Sequence, residues 1–128
     1  MLKGKDFALV IALGVLAFLA IASPKKVLIA EGFAISREEL DHGYLIYENY
    51  CASCHQDGGK ETPQVGDRQA WRARIRQGMP TLVRHAVNGF RGEVGLMPPK
   101  GGHEALTSEE VTRATAWMVQ QSTAKGGG

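Results

Sequence analysis

The apolar positions of this chain change rhythm along its length. From Phe7 to Ala22 they form an unbroken run of apolar and small residues, with Lys3 and Lys5 before it. Ser23-Pro24-Lys25-Lys26 follows, then a short apolar stretch, Val27 to Ala30. Further on the spacing becomes helical. Leu40, Gly43, Tyr44 and Tyr47 recur at three and four, which predicts a helix from about Arg37 to Asn49 with one buried stripe. Ser36-Arg37-Glu38-Glu39 opens it as a capping box, Ser36 accepting from Glu39 and Glu39 reaching back. Gln56 to Val65 reads as a loop. A short helix starts at Asp67 or Gln69 and ends near Ile75. Gly78-Met79-Pro80 breaks the pattern, and Thr81 caps a helix from Leu82 to Asn88 that Gly89 ends. Phe90 to Glu104 is rich in Gly and Pro and has no periodicity. Thr107-Ser108-Glu109-Glu110 is a second capping box, opening a last helix from Ser108 to about Gln121 with Val111, Ala114, Trp117 and Met118 inside. The pattern predicts no strand and contains no repeat. The fold class it implies is all-α, three to five short helices preceded by one N-terminal hydrophobic helix.

The N-terminal run has two readings. Its basic start, apolar middle and Ala20-Ile21-Ala22 suit a cleaved signal peptide, leaving a chain that begins near Ser23. Its length also approaches that of a membrane span, which needs roughly 17–25 residues. Ser23 and Val27 to Ala30 would extend it, with Lys25 and Lys26 snorkelling to the interface. The signal-anchor is the reading adopted. Lys3 and Lys5 keep the N-terminus inside, so both readings export the rest, in a bacterium to the periplasm. The chain then divides into a transmembrane signal-anchor at 1–30, a folded domain at 31–122 and a flexible tail at 123–128.

Composition changes this picture little. At 128 residues and 44% hydrophobic, with much of that in the first thirty positions, one small domain with a thin core is expected. Such domains commonly need a staple. The net charge of +2 gives no ground for nucleic-acid binding. Its distribution is uneven: from Lys60 to Lys100 there are eight bases and three acids. A basic face of that kind suits docking to a charged partner.

The two cysteines carry the chemistry. Cys51-Ala52-Ser53-Cys54-His55 is C-x-x-C-H, the attachment motif of c-type haem. Each thiol adds to one of two neighbouring vinyl groups on the porphyrin edge. A two-residue gap at a helix end sets both sulfurs along that edge, and His55 then lies beneath the iron as proximal ligand. A thioredoxin-like dithiol would want a preceding strand and a βαβ context, neither of which is visible. A structural zinc site needs four ligands, and His42, His85 and His103 have no ligand spacing. For the second axial position the candidates are Met79, Met97 and, for bis-histidine ligation, His85. Met118 reads as packed core. Met97 lies in an irregular loop before Pro98-Pro99, which stiffens the chain around the sulfur, so Met97 is taken as ligand and Met79 as a pocket residue.

Gly43-x-x-x-Tyr47-x-x-x-Cys51-x-x-Cys54-His55, the Met97-Pro98 loop and a capped last helix carrying Trp117 resemble the class I cytochromes c. The resemblance implies that the first and last helices cross, with Gly43 allowing their approach and Tyr47 and Trp117 packing there. Gly66-Asp67, Ala70-Trp71, Gly78-Met79, Asn88-Gly89-Phe90, Gly95-Leu96-Met97-Pro98-Pro99-Lys100-Gly101-Gly102 and Leu106 to Val111 are similar to segments of the bacterial cytochrome c5 group. By that resemblance Trp71 lines the haem crevice and reaches a propionate; otherwise it is plain core. Members of that group often carry a second cysteine pair near the last helix, which this chain lacks.

The implied function is single-electron transfer by one covalent haem c, without enzymatic activity. The expected carrier is tethered to the periplasmic side of the inner membrane, with lipid around its N-terminal helix. Its expected partners are a quinol-oxidising complex, a terminal oxidase or a reaction centre. The alternatives are a haem enzyme or gas sensor with an open sixth position, and a mainly structural subunit of a redox complex.

Overall fold

The computed structural model describes residues 23–123. The apolar run from Phe7 to Ala22, and with it the signal or anchor expectation, lies outside the described residues, as do tail residues 124–128. Among the described residues no helix is long and apolar enough to cross a membrane.

The chain opens with a hairpin, β1 (Lys26–Ala30) and β2 (Phe33–Ser36), paired antiparallel from Lys26↔Ser36 to Ala30↔Phe33. This corrects two expectations: strands are present, and Val27 to Ala30 extend no membrane segment. The physical reason is legible afterwards. Two runs rich in β-branched and aromatic residues flank the two-residue turn Glu31-Gly32. Ile29 and Ile35 point into the core while Leu28 is 70% exposed, the alternation of a half-buried strand.

Helix α1 (Arg37–Ile46) follows at once, its capping box formed in both directions. It widens into a π-helical turn, Tyr47–Cys51, and continues as α2 (Ala52–His55). After an irregular loop come α3 (Arg68–Ile75) and α4 (Met79–Asn88). Asp67 caps α3, its carboxylate accepting from the amides of Gln69 and Ala70 at 3.0 Å each. Helix α4 begins two residues before Thr81: Gly78 is its N-cap, and Pro80 fits the first turn because no amide partner is missed there.

The stretch expected to be featureless holds a second hairpin, β3 (Phe90–Arg91) with β4 (Leu96–Met97), and a 3₁₀ turn, Pro99–Gly102. Helix α5 (Ser108–Thr123) closes the fold. Its Thr107–Glu110 box is formed: Glu110 N donates to Thr107 Oγ1 at 3.2 Å, and Thr107 N donates to Glu110 Oε2 at 2.8 Å.

Helices α1 and α5 cross at Gly43. A Cβ built there would lie 2.2 Å from the Arg113 carbonyl oxygen, so the backbones touch and only hydrogen fits. One turn on, Tyr47 is buried and its ring lies 4.5 Å from that of Trp117; Tyr44, 38% exposed, lies 5.2 Å from Trp117 on the other side. Of its expected inner positions α5 buries Val111, Ala114 and Met118 and half-buries Trp117; it also buries Thr115, Ala116, Val119 and Ser122, because the hairpin, α1, α3 and α4 all pack on it.

Candidate functional site

The π turn sets the geometry of the C-x-x-C-H segment. The Ala52 amide donates to Tyr47 O, five residues back, so the helix is one residue overfull where Cys51 leaves it. Such single-turn insertions recur at functional sites. Cys51 is half-buried and Cys54 exposed. As a free thiol Cys51 is pushed up to about 11, by burial first and then by its neighbour Cys54. A redox dithiol needs the opposite, a stabilised thiolate, which weighs against the dithiol reading.

His55 ends α2 and is buried. Its Nδ1 lies 3.0 Å from the Pro63 carbonyl oxygen. A carbonyl only accepts, so the proton is assigned to Nδ1, and the Nε2 lone pair is the one left to coordinate. Burial pushes the imidazole below its ordinary value; the Pro63 bond opposes this, and the Arg74 charge adds to it. The neutral form, the only one able to bind a metal, is therefore favoured at neutral pH.

The loop between α2 and α3 is built around His55. Val65 N donates to His55 O at 2.7 Å. The Gln64 amide is shared among the carbonyls of Cys54, Gly59 and Thr62 at 3.0–3.1 Å. Gly66 N donates to Ser122 Oγ at 3.1 Å, tying the loop to α5. Pro63, Gln64 and Ser122 escaped the sequence reading. The Pro63 carbonyl meets the His55 ring, the Gln64 amide meets carbonyls of its own loop and Ser122 meets the Gly66 amide, pairings that no residue spacing reports.

Trp71 is 4% exposed, with its ring centroid 6.4 Å from that of His55. Its indole N–H donates to Gln64 O at 2.8 Å. In this arrangement the one donor of the ring is taken up within the protein, beside His55. Met79, 1% exposed, belongs to the same buried cluster as Trp71, at the start of α4. Met97 is half-buried on β4, paired with Phe90, and packs on the cluster of Ala86, Leu106 and Val111. The Met97 hairpin and the His55 loop meet: a Cβ on Gly95 would stand 2.9 Å from Glu61 O. His85 stacks on Phe90. Among the described residues no group of three or more His, Cys, Asp or Glu could hold a metal ion, so the zinc alternative finds no geometry there.

One cysteine a turn before a buried histidine and one immediately before it, with a single ring nitrogen left free, form a donor set that fits a covalently attached haem. Within a small helical fold whose first and last helices cross, that defines a c-type cytochrome. Comparison with known proteins agrees. Residues 38–118 match the family described as cytochrome c oxidase, cbb3-type, subunit III. The chain is 48% identical over 80 residues to cytochrome c-555 of Chlorobaculum tepidum, covering 62% of this chain and 74% of that protein. It is 31% identical over 75 residues to cytochrome c5 of Azotobacter vinelandii, covering 57% and 86%. A chain in the crystal structure of an electron transfer complex of nitrite reductase with cytochrome c superposes with a TM-score of 0.55 at 31% identity, covering 63% of this chain and 94% of that one. The chain belongs to this family of class I c-type cytochromes: it carries one covalently bound haem c and transfers single electrons.

Proposed function

We propose that Cys51 and Cys54 anchor the haem by thioether bonds and that His55 and Met97 are its two axial ligands. The observation that carries this reading is the Nδ1 bond of His55 to Pro63, which leaves one coordinating nitrogen in a buried, neutral ring. Bound haem would supply reversible one-electron chemistry, and ligation by the Met97 thioether together with His55 would raise its potential. The chain's own part is to hold both ligands through either oxidation state. Gln64, Trp71 and the Pro63 carbonyl fix the histidine side; the β3–β4 hairpin and Pro98-Pro99 fix the methionine side.

The carrier works on the periplasmic face of a bacterial inner membrane, tethered there by its N-terminal apolar run, with the folded domain outside. In the alternative form it is released by cleavage near Ser23. It moves electrons between a quinol-oxidising complex and a terminal oxidase, a reductase or a reaction centre, free in the membrane plane or fixed as a subunit. The oxidase in the family's description and the reductase in the structural neighbour's title support partners of that kind.

The test is carbon monoxide binding and potentiometry on the mature protein and on Met97→Ala. The wild type is expected to be low-spin and indifferent to carbon monoxide at neutral pH, and Met97→Ala to bind it when reduced and to have a lower midpoint potential. Rapid binding by the wild type would support a sensor or enzyme with an open sixth position and overturn the carrier reading. Intact mass of the protein from native membranes reads the tether: full chain plus one haem supports it, a chain beginning near Ser23 plus one haem removes it.

A further inference from the structure

The hairpin that carries Met97 is too small to hold its own shape. Each strand has two residues, and Gly92 N donates to Gly95 O at 2.8 Å across the tip. Isolated ladders of that size are not stable in water. Nor does burial secure the outer strand, since Phe90 is 45% exposed and Arg91 is exposed too. Something else must fix β3, because β3 fixes β4 through the pairs Phe90↔Met97 and Arg91↔Leu96.

The fixture is an aromatic stack across the end of α4. The rings of His85, in the last turn of that helix, and Phe90, just past it, lie with centroids 4.0 Å apart and planes 19° from parallel. Between them the chain turns at Gly89, where φ is +82° and a Cβ would lie 2.9 Å from Pro99 Cδ and 3.0 Å from Met97 O. The end of α4 therefore presses directly on the Met97-Pro98-Pro99 backbone. The helix itself is rigidly placed, with Leu82 and Ala86 buried and α5 packed behind. An unbroken line of contact runs from α5 through α4, His85 and Phe90 to Met97.

We infer that His85 and Phe90 are positioning residues for Met97, their stack holding the hairpin so that the sulfur stays at the sixth position. The inference rests on the reading of Met97 as axial ligand. It assigns His85 a role distinct from ligation, and it gives Phe90 a reason to remain half in water.

The experiment uses the mature ferric protein and two readouts: the long-wavelength charge-transfer band of thioether-ligated ferric haem, and the affinity for imidazole, which competes for the sixth position. Phe90→Ala and His85→Ala are expected to weaken the band and to bind imidazole on the order of tenfold more tightly, the scale of one aromatic pair. Phe90→Tyr and His85→Phe keep a stack and are expected to keep both readouts near the wild type. Far-ultraviolet circular dichroism checks that each variant retains its helices. If the alanine variants match the wild type while Met97→Ala loses the band, the stack does not position the ligand. If the conservative variants lose the band as fully as the alanine ones, stacking is not the cause and the inference fails too. If Met97→Ala itself leaves band and affinity unchanged, the ligand reading is wrong, a separate result.

Discussion

His55 shows how much of a coordination site is decided by one backbone atom. Without the Pro63 carbonyl at 3.0 Å either ring nitrogen could carry the proton; with it only Nε2 is free. Trp71 is bound into the same arrangement by its bond to Gln64 O. Trp71→Phe removes that donor and leaves the Gln64 carbonyl only its bond from the Asp67 amide at 3.1 Å, which is expected to cost about 1 kcal/mol of stability, read by urea denaturation of the oxidised protein. No loss at all would mean that water replaces the indole at the carbonyl. At this scale the sequence was legible where chemistry is local. Cys51, Cys54 and His55 are contiguous, so their pattern announced itself. Gln64 was invisible because its value lies in three carbonyls that only the folded loop brings to one amide.

Among the elements, the crossing of α1 and α5 has the least tolerance. Gly43→Ala gains helix propensity of about 1 kcal/mol, yet its methyl would stand 2.2 Å from the Arg113 carbonyl oxygen. The backbones must part, so a net destabilisation of about 1–3 kcal/mol is expected, visible as a lower denaturation midpoint. A variant as stable as the wild type would show that the helices slide freely. The two capping boxes make a pH prediction. Bonds from the Ser36 amide and then its hydroxyl hold Glu39 below its ordinary value of 4.5; Thr107, amide first, does the same for Glu110. A lowered carboxylate pKa means the contribution is complete above 4.5 and lost as the pH falls through the lower folded values. Replacing both by Gln preserves the hydrogen bonds without the titration. The double variant should lose less stability than the wild type between pH 5 and pH 3, roughly the window over which carboxylates protonate. Equal acid sensitivity would place the dependence elsewhere. Both boxes were readable because a capping box is a three-residue interval. The hairpins were passed over for a different reason: β1 and β2 hid beside the N-terminal apolar run, and β3 and β4 are too short to show any period.

For the molecule as a whole, charge placement matters more than the net charge of +2. Arg68, Arg72 and Arg76 follow one another at one-turn spacing along and just past α3, all exposed, while Trp71 turns inward toward His55. No acid occurs between Asp67 and Glu93. This face is expected to steer anionic partners. Oxidation by hexacyanoferrate(III) should slow as salt is added, and oxidation by a cationic cobalt(III) phenanthroline complex should quicken. Changing the three arginines to glutamine should flatten both slopes; if the slopes survive, another surface does the steering.

The sequence alone determined the chemistry and the local punctuation. The C-x-x-C-H motif, both capping boxes, the helical stripes around Gly43 and Tyr47, and the resemblance that those residues carry all depend on intervals of a few positions, which a linear chain states directly. Tertiary structure decided the rest. It assigned the proton of His55, bound the Trp71 indole to Gln64, turned Val27 to Ala30 into a strand, and set Phe90 between His85 and Met97. Each of these joins groups that the intervals do not link, and such pairings exist only once the folded chain has brought the partners within reach.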